Sequence, residues 1–146
     1  MSQIGFKTLL CAVDFSETSK KSFEYAKVLA QKFDSKIILL HVVEPLLTGT
    51  YVTFEPTLGT QVMNTMEEKA EELLKELKGE DKNIEIKIIH GTAYEEIVEY
   101  AKKVKADLIV MGTHGLSGLS HFLIGSVAEK VVRKAGCPVL TVKMDE

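Results

Sequence analysis

Five short apolar runs alternate with four segments of helical period along this chain, and that alternation leaves few folds open to it. The runs are "FKTLLCAV" (6–13), "KIILLHVV" (36–43), "IEIKIIH" (84–90), "DLIVMG" (107–112) and "CPVLTV" (137–142). Most are rich in Val and Ile, and the first, second and fourth are nearly apolar throughout, as strands covered on both faces are. Between them Phe23, Ala26, Ala30 and Phe33 recur at helical spacing, then Met63, Met66, Ala70, Leu73, Leu74 and Leu77. Ile97, Val98, Ala101 and Val104 follow, and then Val127, Val131, Val132 and Ala135. Each set would lay one face of a helix on a sheet. The order βαβαβαβαβ therefore predicts a parallel sheet with right-handed crossovers. "TAYE" (92–95) and "SVAE" (126–129) match the capping box and predict where the third and fourth helices start. "EPLLTGTYVTFEPTL" (44–58) has little periodicity and reads as a loop of unusual length.

The chain has 146 residues, 45% of them hydrophobic, which suits one domain (1–146) with a single core. Its net charge of -3 and the lack of any Lys/Arg-rich block argue against a nucleic-acid surface, where clustered cations neutralise phosphates. The start "MSQIGFKTLLCAVDF" lacks a basic segment followed by a long apolar one, and no apolar run approaches the ~20 residues of a membrane span. A soluble cytoplasmic protein is expected. Cys11 and Cys137 lie far apart in apolar segments without metal-ligand spacing and read as buried reduced thiols. His41, His90 and His114 likewise show no recognised ligand spacing. "EEKAEELLKEL" (67–77) reads as a solvated helix face.

The stretch "MGTHGLSGLSHFLIGSVAEK" holds four of the ten glycines and joins the fourth strand to the fourth helix. Gly112, Gly115 and Gly125 give the spacing G-x-x-G-x9-G-S, which is neither a Walker loop nor G-x-G-x-x-G. Glycine permits positive φ and close backbone approach, and a helix N-terminus at Ser126 adds free N–H donors, so the segment can cradle a phosphate. A glycine-rich loop that merely turns has the same spacing. Asp14 in "AVDFSE" falls at the carboxyl end of strand one, facing the glycine loop if strands one and four flank the reversal of strand order. Either Asp14 or Ser16 could instead simply cap the first helix.

"VMGTHGLSGLSHFLIGSVAEKVVRKAGCPVLTV", with "AVDFSE" and "LLHVVEP", resembles the universal stress protein family, specifically its ATP-binding branch. The resemblance covers nearly the whole chain and implies an open, doubly wound, Rossmann-like α/β domain. Its parallel five-stranded sheet would have the order 3-2-1-4-5, with four helices. It further implies that backbone groups at Ala12, Val13 and Val42 hold adenine and that Asp14 contacts the ribose or a metal-bound water. Gly112 would border the ribose, and Gly115, Gly125, Ser126 and Val127 would hold the phosphates, with Met111 and His114 completing the set. His121 stands where many relatives have a basic residue.

The expectation is thus an ATP-binding regulatory module of the stress response, with Mg²⁺ or Mn²⁺ as a possible companion ion. A metal-dependent enzyme cleaving or transferring phosphate or adenylate from ATP is the alternative, and a ligand-free dimeric scaffold a third reading. No lysine or paired carboxylate is tied to the loop, so efficient turnover has little visible machinery. The last strand has no helix after it to protect it, and the resemblance also implies a homodimer through this strand. Lys143, Asp145 and Glu146 cluster after it rather than along it.

Overall fold

The computed structural model describes residues 4–45, 56–114 and 124–144, the side chains of 56–58 excepted. Segment 46–55 of the long loop, Gly115 and His121 lie outside the described residues, as do 145 and 146. The elements run β1 (Thr8–Ala12), α1 (Glu17–Phe33), β2 (Lys36–Val43), α2 (Pro56–Lys78), β3 (Ile84–His90), α3 (Ala93–Val104), β4 (Leu108–Gly112), α4 (Ser126–Lys134) and β5 (Val139–Val142). All strand pairs are parallel, in the order β3-β2-β1-β4-β5. β1 and β5 are each shorter than the apolar runs that announce them, because the runs continue into the flanking turns.

Alternation along the strands divides the core in two. Leu9, Cys11, Ile37, Leu39 and Val110 point to the face covered by Phe23 and Ala26 of α1 and Leu74 of α2. Leu10, Ile38, Leu40, Ile109 and Met111 point to the face covered by Ile97 and Ala101 of α3 and Ala128 and Val131 of α4. Two helices therefore pack on each side of the sheet, and the central strand is dry: Leu9, Leu10 and Cys11 are fully buried. That explains why β1 reads apolar at every position rather than at every second one. Across the sheet's lower end, the Asp107 carboxylate accepts from the N–H groups of Lys7 (2.8 Å) and Thr8 (2.9 Å), fixing the start of β1 beside the start of β4.

Helix starts follow one of the two sequence alternatives at α1 and depart from the sequence expectation at α3 and α4. α1 is capped by Ser16, not by Asp14: the Ser16 side chain accepts from Ser19 N–H, and Ser19 Oγ returns to the Ser16 carbonyl (3.1 Å) and the Asp14 N–H (3.2 Å). Neither capping box forms. Thr92 has N-cap geometry but makes no side-chain bond; the Ala93 N–H instead meets Glu44 Oε1 from the end of β2, at 3.4 Å. At α4 the N-cap is Gly125 and Ser126 is the first helical residue. The reason lies just beyond β4, where the Thr113 carbonyl draws in the Gly125 N–H at 2.6 Å and sets the helix start one residue early.

Candidate functional site

Strand order reverses between β1 and β4, and ligands of open α/β sheets sit outside the carboxyl ends of the strands at such a point. A cavity of about 270 Å³ opens there. Its floor is Ala12, Val13 and Asp14 after β1 and Met111, Gly112 and His114 at the end of β4. Val42 lines one side, and Gly125, Ser126 and Val127 of the α4 start line the other. Ten of the eleven residues expected at the site thus surround one space; the eleventh, Gly115, lies outside the described residues. Ser19, His41, Glu44, Ala93, Ile97 and Thr113 also line it. The first turn of α3 and the residue beyond β2 could have been found from topology alone, since both must fall at the strands' carboxyl ends once the sheet is parallel.

Among the described residues, the two site glycines act through close approach rather than unusual dihedrals. A Cβ on Gly125 would stand 2.9 Å from the Thr113 carbonyl oxygen, and one on Gly112 would stand 2.7 Å from Cγ2 of Thr18 in the first turn of α1. Gly125 has φ -68°, which any residue adopts. Gly112 is therefore a packing glycine under α1, and Gly125 lets the start of α4 close onto the end of β4. That contact aims the helix N-terminus, with its free N–H groups and the positive end of its dipole, at the cavity.

Across the cavity, the chain after β1 is held in a strained turn. Phe15 has φ 68°, a region costly for an aromatic residue by about 1–3 kcal/mol, and its ring packs on His41 with centroids 4.7 Å apart. His41 Nδ1 donates to the Val13 carbonyl at 2.8 Å, which fixes the proton on that nitrogen. Asp14 Oδ1 accepts from Ser16 N–H at 3.0 Å, so the carboxylate is oriented while its remaining lone pairs stay available. On the far side His114 is buried, its Nδ1 3.0 Å from Thr113 Oγ1. His90 is not among the cavity's lining residues and pairs with Glu67 of α2 at 3.2 Å.

The described lining carries two carboxylates, Asp14 and Glu44, and no Lys or Arg. Among the described residues no group of three or more His, Cys, Asp or Glu converges as metal donors. Asp14 alone could join a divalent ion that takes its other ligands from phosphates and water, as Mg²⁺ commonly does. The two cysteines are unpaired; burial pushes the Cys11 thiol up to about 12, and half-buried Cys137 is also raised, chiefly by burial. Both are therefore protonated and poorly nucleophilic at neutral pH. No helix is long and apolar enough to cross a membrane, among the described residues.

Fold and cavity together define the class: a Rossmann-like α/β protein with a small-ligand crevice at its topological switch point. The chain belongs to the universal stress protein family, whose model matches residues 5–143. It is 37% identical to universal stress protein MJ0531 of Methanocaldococcus jannaschii, over 94% of this chain and 82% of the relative. Universal stress protein MJ0577 of the same organism is 34% identical, over 96% of each chain. The solved structure of MJ0577 superposes with a TM-score of 0.82 at 31% identity, covering 97% of this chain and 98% of that one. A universal stress protein solved in complex with cAMP superposes with a TM-score of 0.62 at 26% identity, over 94% of this chain and 97% of that one.

Proposed function

We propose that this is an ATP-binding universal stress protein: one cytoplasmic nucleotide-binding domain, residues 1–146, whose bound state regulates what it associates with in the stress response. The observation that carries the reading is the N-terminus of α4, brought against Thr113 through Gly125 and directed into the switch-point cavity. Backbone N–H groups at Ser126 and Val127 would take the phosphates, with Gly115 of the same loop. Gly112 would border the ribose, and the β1 and β2 ends at Ala12, Val13 and Val42 would hold the base. The cAMP complex of a related protein supports an adenine nucleotide as the ligand class.

With no Lys or Arg in the described lining, a polyphosphate would need its charge offset by the helix dipole and a divalent ion, Mg²⁺ or Mn²⁺, held through Asp14. Such an ion would supply charge neutralisation; Asp14 would orient its water. Asp14→Asn keeps the acceptor for Ser16 N–H and removes the charge. It should weaken ATP binding by calorimetry more with Mg²⁺ present than with EDTA, and equal losses would reduce Asp14 to a ribose contact.

Calorimetry with ATP, ADP, cAMP and GTP, alongside native mass spectrometry of freshly purified protein, tests the ligand. Failure to bind any adenine nucleotide removes the reading. Steady-state turnover separates it from a phosphate- or adenylate-cleaving enzyme: release of product at ~1 per second or faster is ordinary enzyme behaviour, and its absence supports a binding module.

A further inference from the structure

The β1–β2 ladder stops one rung before its register would end it. Lys36 N–H donates to the Lys7 carbonyl at 2.8 Å, and the parallel register carries that relation upward in steps of two residues. The next rung beyond the end of β1 would join Val42 N–H to the Val13 carbonyl. The other half of Val13 obeys the ladder, its N–H donating to the Leu40 carbonyl at 2.9 Å. Its carbonyl does not: among the described backbone bonds the Val42 rung is absent, and the oxygen accepts from His41 Nδ1 at 2.8 Å. The His41 ring is itself seated against Phe15, whose backbone is left-handed in the turn that follows β1.

We propose that His41 is a positioning residue for nucleotide: by taking the Val13 carbonyl, it withholds the acceptor that Val42 N–H would otherwise use and leaves that amide for the ligand. The inference rests on the reading of the cavity as an adenine site, where Val42 is a wall residue. An amide donor and a neighbouring carbonyl at a strand end match the acceptor nitrogen and amino group on the edge of adenine. Imidazole suits the task because its Nδ1–H sits close to the backbone and its flat ring packs under Phe15. Both the neutral ring protonated at Nδ1 and the imidazolium keep this donor.

Three variants and two readouts test it. H41F keeps a flat ring beside Phe15 but has no donor, so the Val13 carbonyl should recapture Val42 N–H. ATP affinity should fall roughly tenfold, the worth of about one hydrogen bond, while affinity for inorganic tripolyphosphate, which has no base, stays unchanged. H41N places an amide nitrogen near the Nδ1 position and should bind ATP within about threefold of wild type, since the bond is restored. If H41F does not fold by circular dichroism, H41L, which also lacks a donor, takes its place. Amide hydrogen exchange without nucleotide is the second readout: in wild type Val42 should exchange faster than Leu40, and the donor-less variant should slow Val42. Equal ATP affinity in H41F, a loss in H41N as large as in H41F, or a protected Val42 in wild type would each overturn the proposal. Wild-type protein that binds no ATP, with Val42 exchange nevertheless slowed in H41F, overturns the adenine reading and leaves the ladder inference standing.

Discussion

Gly125 and Gly112 look alike in the sequence and differ in what surrounds them. The missing Cβ of Gly125 faces a backbone carbonyl that cannot step aside, whereas that of Gly112 first meets a side-chain methyl, with Thr18 backbone carbon behind it at 3.2 Å. Gly125→Ala should therefore lower stability by about 1–3 kcal/mol, as overpacking does, and disturb the start of α4 as well. Gly112→Ala should cost a comparable amount and be partly rescued by Thr18→Ser, which deletes the methyl; denaturant midpoints of the two singles and the double check this. A Gly112→Ala effect untouched by Thr18→Ser would place the constraint elsewhere. Cys11 supplies a second prediction at this scale. Its thiol is held protonated in the fold up to about 12, above the ordinary value of 9.0, so the folded chain keeps a proton that the unfolded chain gives up. The resulting stabilisation is complete below pH 9 and lost as pH rises toward 12. Tyr94 and Tyr100 are also raised, the first chiefly through its bond to Glu95 and the second by burial, so the Cys11 share is the difference in slope between wild type and Cys11→Ala. Identical slopes would count against it.

Helix caps show where local sequence rules yield to tertiary contact. "SETS" at 16–19 has no Glu or Gln at its fourth place, yet Ser16 and Ser19 close a reciprocal cap that also grips Asp14. "TAYE" has the full pattern, yet its Thr92 side chain makes no cap bond and Glu44, just beyond β2, meets the first helical N–H instead. Ser16→Ala should accordingly destabilise the protein by about 1 kcal/mol, and Thr92→Ala by a few tenths at most, in thermal or urea unfolding. Equal effects would mean that the capping contacts do not discriminate. Strand and helix placement was legible because period alone separates a strand buried on both faces from an amphipathic helix. Most residues lining the candidate cavity were legible through the strand ends, the glycine spacing and the family resemblance. The roles of Gly112, Glu44 and His41 were not, because each depends on a neighbour far away in sequence: Thr18, Ala93 and Val13.

At the scale of the molecule, the two sheet edges are built differently. β3 carries Glu85 and Lys87 exposed along its length, and Glu85 pairs with Lys36 at 2.7 Å, charges that discourage a further strand. β5, "VLTV", carries none. The carbonyls of Pro138, just before it, and of Val142 accept from Ile109 and Thr113, so the alternate residues Val139 and Thr141 turn their backbone groups to the open edge. We propose a homodimer with two β5 edges antiparallel about a two-fold axis. Val142 is buried and Leu140 packs into the core, so lysine at either would damage the fold before it reported on assembly. Thr141→Pro removes one outward N–H and spares the β4 ladder; it should convert a dimer to a monomer in analytical ultracentrifugation. A wild-type monomer at micromolar concentration, or a Thr141→Pro dimer, sinks the proposal.

The clasp of Asp107 on Lys7 and Thr8 has a consequence for synthesis on the ribosome. β1 is the middle strand, yet its second neighbour is encoded about a hundred residues later. Until β4 emerges, the nascent β1–β2–β3 half displays its most apolar strand as a raw edge, with neither the Asp107 cap nor the β4 ladder to cover it. Chains released before residue 107 should therefore be sticky and dependent on chaperones, while chains that include β4 can seal the centre of the sheet.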